Sequence, residues 1–214
     1  SISSKGTVPV LIDSNGQVIE ESLDIMFWAL SHSDPLNVMH VDSTPSLQSE
    51  IRKFIDINDT EFKFHLDRYK YSNRFPNNDK SLHKDMARNI LIAIETKLTK
   101  SSTDHKYWLI NGTQSIADWA LWPFVRQYRL ADMNDFDNDK DLLKVRSWLN
   151  TFLDSPLFPK LMLKSEAWKP GSMLTTFPSE SMSLSSQEQI YHFATVEDWD
   201  YALSLGKYEI STRG

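Results

Sequence analysis

Apolar residues recur along the chain first with the period of a strand and then with the period of a helix. Residues 7–12 form a short run rich in β-branched side chains. Asp13-Ser-Asn-Gly16 is a turn signal, and Gln17-Val-Ile-Glu20 returns as a second strand, so the two predict a hairpin. Leu23, Met26, Phe27 and Leu30 then recur at helical spacing and predict a helix to Ser31, with Ser22 as N-cap and Asp24 facing its positive end. Residues 32–45, with Pro35 and Pro45, read as a linker. From Ser46 the pattern is that of long helices. Leu47, Ile51, Phe54, Ile55, Phe62, Leu66 and Tyr69 predict one helix that ends before Pro76. Leu82, Met86, Ile90, Ala93, Ile94 and Leu98 predict a second, packed antiparallel to the first. A third is expected over Ile116 to Arg129, with Pro123 either kinking it or following its first turns. A fourth is expected over Lys140 to Leu153, and a short fifth has Pro156 in its first turn.

The helical period is lost over residues 166–188, where Ser and Pro predict a tether. Ile190-Tyr-His-Phe-Ala194 is strand-like. Thr195 with Asp198 resembles a capping box, and Gly206 is placed as a C-cap, so a further unit is expected to start there. The expected division is residues 1–34, a helical domain over 46–165, a linker over 166–188 and a truncated unit over 189–214. The first residue is Ser, and strand-like stretches lie close to both ends, so the chain reads as trimmed at both.

Composition narrows the function. A net charge of -6 argues against a nucleic-acid partner, whose phosphates need a basic surface. No apolar run approaches the roughly 20 residues of a membrane helix, and no secretory signal opens the chain. A soluble, cytoplasmic protein is expected. There is no Cys, so these residues hold no disulfide, thiolate metal site or Cys nucleophile. The six His stand in none of the usual metal-ligand spacings, and no metal is expected.

Three motifs, in order, carry a resemblance. Lys5-Gly-Thr-Val-Pro-Val-Leu11 is a strand holding Val-Pro. Glu21-Ser-Leu-Asp-Ile25 opens a helix. Gly112-Thr-Gln-Ser-Ile-Ala-Asp118 precedes a helical run. Together, over residues 1–165, they resemble the glutathione S-transferase superfamily, and Asp67-Arg-Tyr-Lys-Tyr71 is similar to a bacterial branch of it. The resemblance implies an α+β fold: the C-terminal half of a thioredoxin-like domain (ββα), then the family's all-α C-terminal domain. Residues from Ile190 resemble the start of a small α/β bacterial domain of unknown function, with His192 a candidate site residue there.

The resemblance implies a cis bond before Pro9 and a glutathione site at Val8, Pro9, Glu21 and Ser22, with Lys5 a weaker member. Val8 would pair with the cysteinyl backbone, Glu21 with the α-amino group, and Ser22 with the α-carboxylate. Each also has a plainer reading: Val-Pro as edge strand, Glu-Ser as helix cap, Lys5 as a solvated charge. His65, Arg68, Tyr69 and Tyr71 would line a second-substrate pocket, or else be packing and surface residues. Ser115 and Asp118 are expected to form a structural capping box rather than to do chemistry. The family's catalytic Tyr, Ser or Cys would stand ahead of Ser1. The implied function is glutathione-dependent thiol transfer or conjugation in the full-length protein, glutathione being a substrate beside an unknown small-molecule or protein thiol. The alternative is a non-catalytic scaffold or regulatory module. A homodimer is expected by resemblance.

Overall fold

The computed structural model describes residues 8–101, 107–110, 112–163, 176–177 and 208–209. Two compact units form: residues 1–36 with 155–214, and residues 37–154.

In the first unit, β1 (Leu11–Ile12) pairs antiparallel with β2 (Val18–Ile19), Leu11 opposite Ile19 and Ile12 opposite Val18. Asp13 builds the turn between them. Its carboxylate accepts the N–H groups of Asn15 and Gln17, each at 2.8 Å, and its carbonyl accepts that of Gly16 at 3.0 Å. Gly16 has φ +81°, a left-handed conformation that a side chain would resist. Leu11 and Ile19 are buried while Val18 is exposed, as a half-covered hairpin requires.

α1 (Ser22–His32) follows β2 closely. Its N-cap is Glu21, not Ser22: Glu21 keeps extended torsions (φ -107°, ψ 138°), and its carbonyl accepts the Ile25 N–H at 2.9 Å. Ser22 is therefore the first helical residue. This unit also holds α8 (Leu157–Leu161), entered through Pro156 at its N-cap. A second antiparallel pair joins β3 (Thr176–Phe177) to β4 (Tyr208–Glu209). β3 interrupts the stretch expected as a tether, where a β-branched residue precedes an aromatic one. The strand expected at 190–194, and the caps at Thr195 and Gly206, lie outside the described residues.

The second unit is a helical bundle. The single long helix expected from 46 to 75 is instead four pieces: α2 (Pro45–Ile57), a π turn (Asn58–Phe62), α3 (Lys63–Lys70) and a 3₁₀ turn (Ser72–Arg74). Thr44 starts it, its hydroxyl accepting the Leu47 N–H at 3.3 Å. The wider π turn buries both Asn58 and Phe62. α4 (Lys80–Ser101) packs against α3 and buries Ala87, Leu91, Ile94 and Leu98. α5 (Ile116–Ala131) runs through Pro123 without a break. A short α6 (Met133–Asn138) precedes α7 (Leu143–Leu153), which starts three residues later than expected.

The delay has a local cause. Arg88 of α4 binds both oxygens of Asp139, at 2.6 and 2.9 Å, and Asp141 at 2.7 Å, so the chain before α7 folds around a cation. Arg129 of α5 grips Asp137 in the same two-pronged way, at 2.7 and 2.8 Å. These partners hold the Asp139 and Asp137 carboxyls below the ordinary value of 3.8. A lowered folded pKa contributes stability that is complete above the unfolded value and is lost as pH falls through the folded one. Arg88→Met is expected to cost about 1–2 kcal/mol at neutral pH, given that the Arg88–Asp139 pair is partly exposed. It should also lessen the loss of stability below pH 4, read from urea midpoints across pH; equal acid sensitivity in both proteins would contradict the assignment.

Candidate functional site

The two groups of residues singled out by sequence lie one in each unit. In the first unit, the Val8–Pro9 peptide is cis, and Val8 is 65% exposed just ahead of β1. After the hairpin, the chain arrives at Glu21 and Ser22, both exposed, at the N-terminus of α1. Asp24 also lies in that first turn. The first N–H groups of a helix have no partner within it and, with the aligned peptide dipoles, favour an anion. Glu21 stands at the same end as a carboxylate. The chemistry on offer is that of an amino acid's ionic end: a carboxylate for an ammonium and helix N–H groups for a carboxylate. Lys5 lies outside the described residues.

Sequence reasoning missed Glu20. Its Oε1 is closed off from solvent and has no hydrogen-bond partner among the described residues, directly beside Glu21. The Glu20-Glu21 pair that follows β2 was the available signal.

In the second unit, Asp118 is fully buried and gathers four hydrogen bonds. Oδ2 accepts the Ser115 N–H and the Ser115 hydroxyl, each at 2.8 Å. Oδ1 accepts the Leu109 N–H at 3.0 Å and the Trp148 indole N–H at 2.9 Å. Ser115 and Asp118 form the capping box, and the Asp118 N–H also meets the Ser115 carbonyl at 3.0 Å. Burial pushes the Asp118 carboxyl up from its ordinary value, while the four donors pull the other way. The segment before α2 docks on the same helix start: His40 Nε2 lies 2.9 Å from the Gln114 carbonyl, and the Ile116 N–H donates to the Val38 carbonyl at 2.8 Å.

His65, Arg68 and Tyr69 all lie on α3 but do not face one space. Tyr69 is buried, its ring 5.4 Å from that of Tyr128 on α5. Burial pushes both phenols up. Tyr71 is half-buried, with Lys70 and Arg74 over its ring. His65 and Arg68 do meet, around Phe64, in company the sequence did not indicate: His83 of α4 and Phe75. Among the described residues, no group of three or more His, Cys, Asp or Glu could hold a metal ion. None of the described helices is long and apolar enough to cross a membrane.

Comparison with known proteins places this architecture. No protein-family model matches the chain, and no curated protein matches it. Solved structures do. Ure2p in complex with glutathione superposes with a TM-score of 0.60 at 19% identity, over 74% of this chain and 76% of that one. The glutathione transferase URE2P6 from Phanerochaete chrysosporium, with oxidized glutathione, gives 0.63 at 16% identity, over 75% and 73%. A glutathione S-transferase of class Gtt2 from Vibrio parahaemolyticus gives 0.58 at 15% identity, over 73% of each chain. The chain has the glutathione S-transferase-like fold. The hairpin with α1 corresponds to the thioredoxin-like part of that fold and the bundle from α2 to α7 to its helical part. The α+β class expected from the motifs is the class observed.

Proposed function

We propose that this chain belongs to a glutathione-binding protein of the transferase type, working in thiol transfer or in conjugation of glutathione to electrophiles. One observation carries the reading. A fold shared with structures that hold glutathione or oxidized glutathione presents, in this chain, exposed Glu21 and Ser22 together at the N-terminus of α1. On this reading Glu21 binds the ligand's α-ammonium by charge-assisted hydrogen bonds. Ser22 and the first N–H groups of α1 take its α-carboxylate. The exposed backbone of Val8, beside Pro9, pairs with the cysteinyl part as an added strand. Lys5 is proposed for the glycyl carboxylate. The bound thiol has to be made acidic by a hydrogen-bonding side chain or a helix terminus, and that group is proposed to precede Ser1. A homodimer, a cytoplasmic location and a further small domain from residue 189 are proposed on the resemblance alone.

The test is calorimetry on the protein with whatever residues precede Ser1. Glu21→Ala is expected to weaken glutathione binding at least about tenfold, the effect of removing one charged partner. Unchanged affinity would remove the site assignment.

A second reading is a non-catalytic regulatory module. It is favoured by the same fold in the nitrogen regulation fragment of the yeast prion protein Ure2p. Turnover of a halodinitrobenzene or of a glutathione mixed disulfide would support the enzyme. Binding without turnover of either would support the module.

A further inference from the structure

The α3–α4 junction gathers a guanidinium and two imidazoles around one aromatic ring. The Arg68 guanidinium lies 3.5 Å from the centre of the Phe64 ring and 4.6 Å from that of Phe75, held between two faces. The His65 and His83 rings approach the same Phe64 ring, with centroids at 5.1 and 5.7 Å. The two imidazoles meet each other, Nδ1 to Nδ1, at 2.8 Å. A hydrogen bond between two ring nitrogens needs one of them bare, so this contact fixes at least one neutral ring.

Counter-charge is scarce here. Among the described residues, Arg68 has no carboxylate partner; its one hydrogen bond goes to the Phe64 carbonyl at 3.2 Å. The charged groups acting on His65 are His83 from α4, Arg68 on α3 itself, and Glu61 from the π turn, which is exposed. α5 meets α3 through Gln127 and the Tyr128 phenol. Burial first, then His83 and Arg68, hold the His65 ring below its ordinary pKa against the pull of Glu61. A guanidinium without an acid, beside a hydrogen-bonded imidazole pair of which His65 is held from protonation by its neighbours, is the electrostatic setting an anion would relieve.

We propose that Arg68, His65 and His83 form a binding site for a compact oxyanion, one that takes up a proton as it binds. The guanidinium, oriented by Phe64 and Phe75, supplies a two-pronged donor edge. The imidazole pair supplies a ring N–H when neutral. When protonated it supplies a charge that the bound anion offsets, so affinity rises as pH falls through the histidine range. The site lies wholly within the helical unit and does not depend on glutathione binding. Phosphate or sulfate esters and carboxylates share the required chemistry.

Proton NMR of the histidine ring signals in the 214-residue chain tests it, with sulfate and then acetate added at fixed ionic strength in chloride. Sulfate keeps its charge across the range used. The expected result is saturable shifts of His65 and His83, with His32 and His40 unmoved, and binding about fivefold or more tighter at pH 6 than at pH 8. Saturation by sulfate alone identifies a tetrahedral dianion as the ligand class, and saturation by acetate a carboxylate. Arg68→Met, which keeps an apolar stem between the two rings, should abolish the shifts while the thermal midpoint stays near that of the parent. If neither anion gives saturable shifts in the parent chain, or if folded Arg68→Met binds as well, the proposal is overturned. The parent titration stands by itself should the variant not fold.

Discussion

Asp118→Ala is expected to destabilise the helical unit by about 3–5 kcal/mol, enough to unfold much of it at 37 °C. The reason is not the carboxylate's own stability, since burying it is unfavourable. It is the donors left behind. The N–H groups of Ser115, Leu109 and the Trp148 indole all end on this side chain, and Ser115 and Leu109 are themselves buried. Removing the acceptor strands each of them away from water. Asp118→Asn keeps one oxygen and turns an amide N–H₂ toward two donors, so it should cost about half as much. Urea unfolding followed by far-ultraviolet circular dichroism measures both. A midpoint for Asp118→Ala close to that of the parent would show that water or a local shift replaces these bonds.

The second large effect is expected at Phe152. Its ring stacks on Trp122, at 5.3 Å and 5°, and meets the rings of Trp119, Trp108 and Trp148 edge-on at 5.2, 5.9 and 5.9 Å. It is buried, so truncation to alanine leaves a cavity bounded by rigid indoles that cannot collapse into it. Phe152→Ala should cost about 3–5 kcal/mol, and Phe152→Leu about 1–2 kcal/mol because it refills most of the space. Tryptophan fluorescence is the sensitive readout, since four of the seven Trp touch this ring. A parent-like emission spectrum and urea midpoint in Phe152→Ala would show that α7 does not rely on it.

Much of the local geometry of the candidate site in the first unit was legible in the chain. Val8–Pro9, the Asp13–Gly16 turn and Glu21–Ser22 lie within a stretch where backbone torsions and neighbouring hydrogen bonds decide the geometry. The exception, Glu21 rather than Ser22 at the N-cap, is a one-residue shift that the preference for Ser concealed. The pairing of His65 with His83 was not legible. The two are 18 positions apart, on helices whose relative rotation depends on how side chains interlock. The π turn was not legible either: the apolar period runs unbroken from Ile51 through Leu66 to Tyr69, all buried, and gives no sign of the wider turn between α2 and α3.

Taken alone, the sequence determined the hairpin, the identities of the main helices and the cap at Ser115, since these depend on residue periodicity and contacts within four positions. Tertiary structure decided which charges and rings meet. Leu142 cannot cap α7, yet the N–H groups of Lys144 and Val145 are satisfied by Glu95, reaching across from α4 at 2.8 to 3.0 Å. Asp118 looked like half of a local cap and became the anchor for Leu109 and Trp148 as well. The physical reason is common to both: a buried donor must find an acceptor, but only the packing of distant helices fixes which one comes within reach.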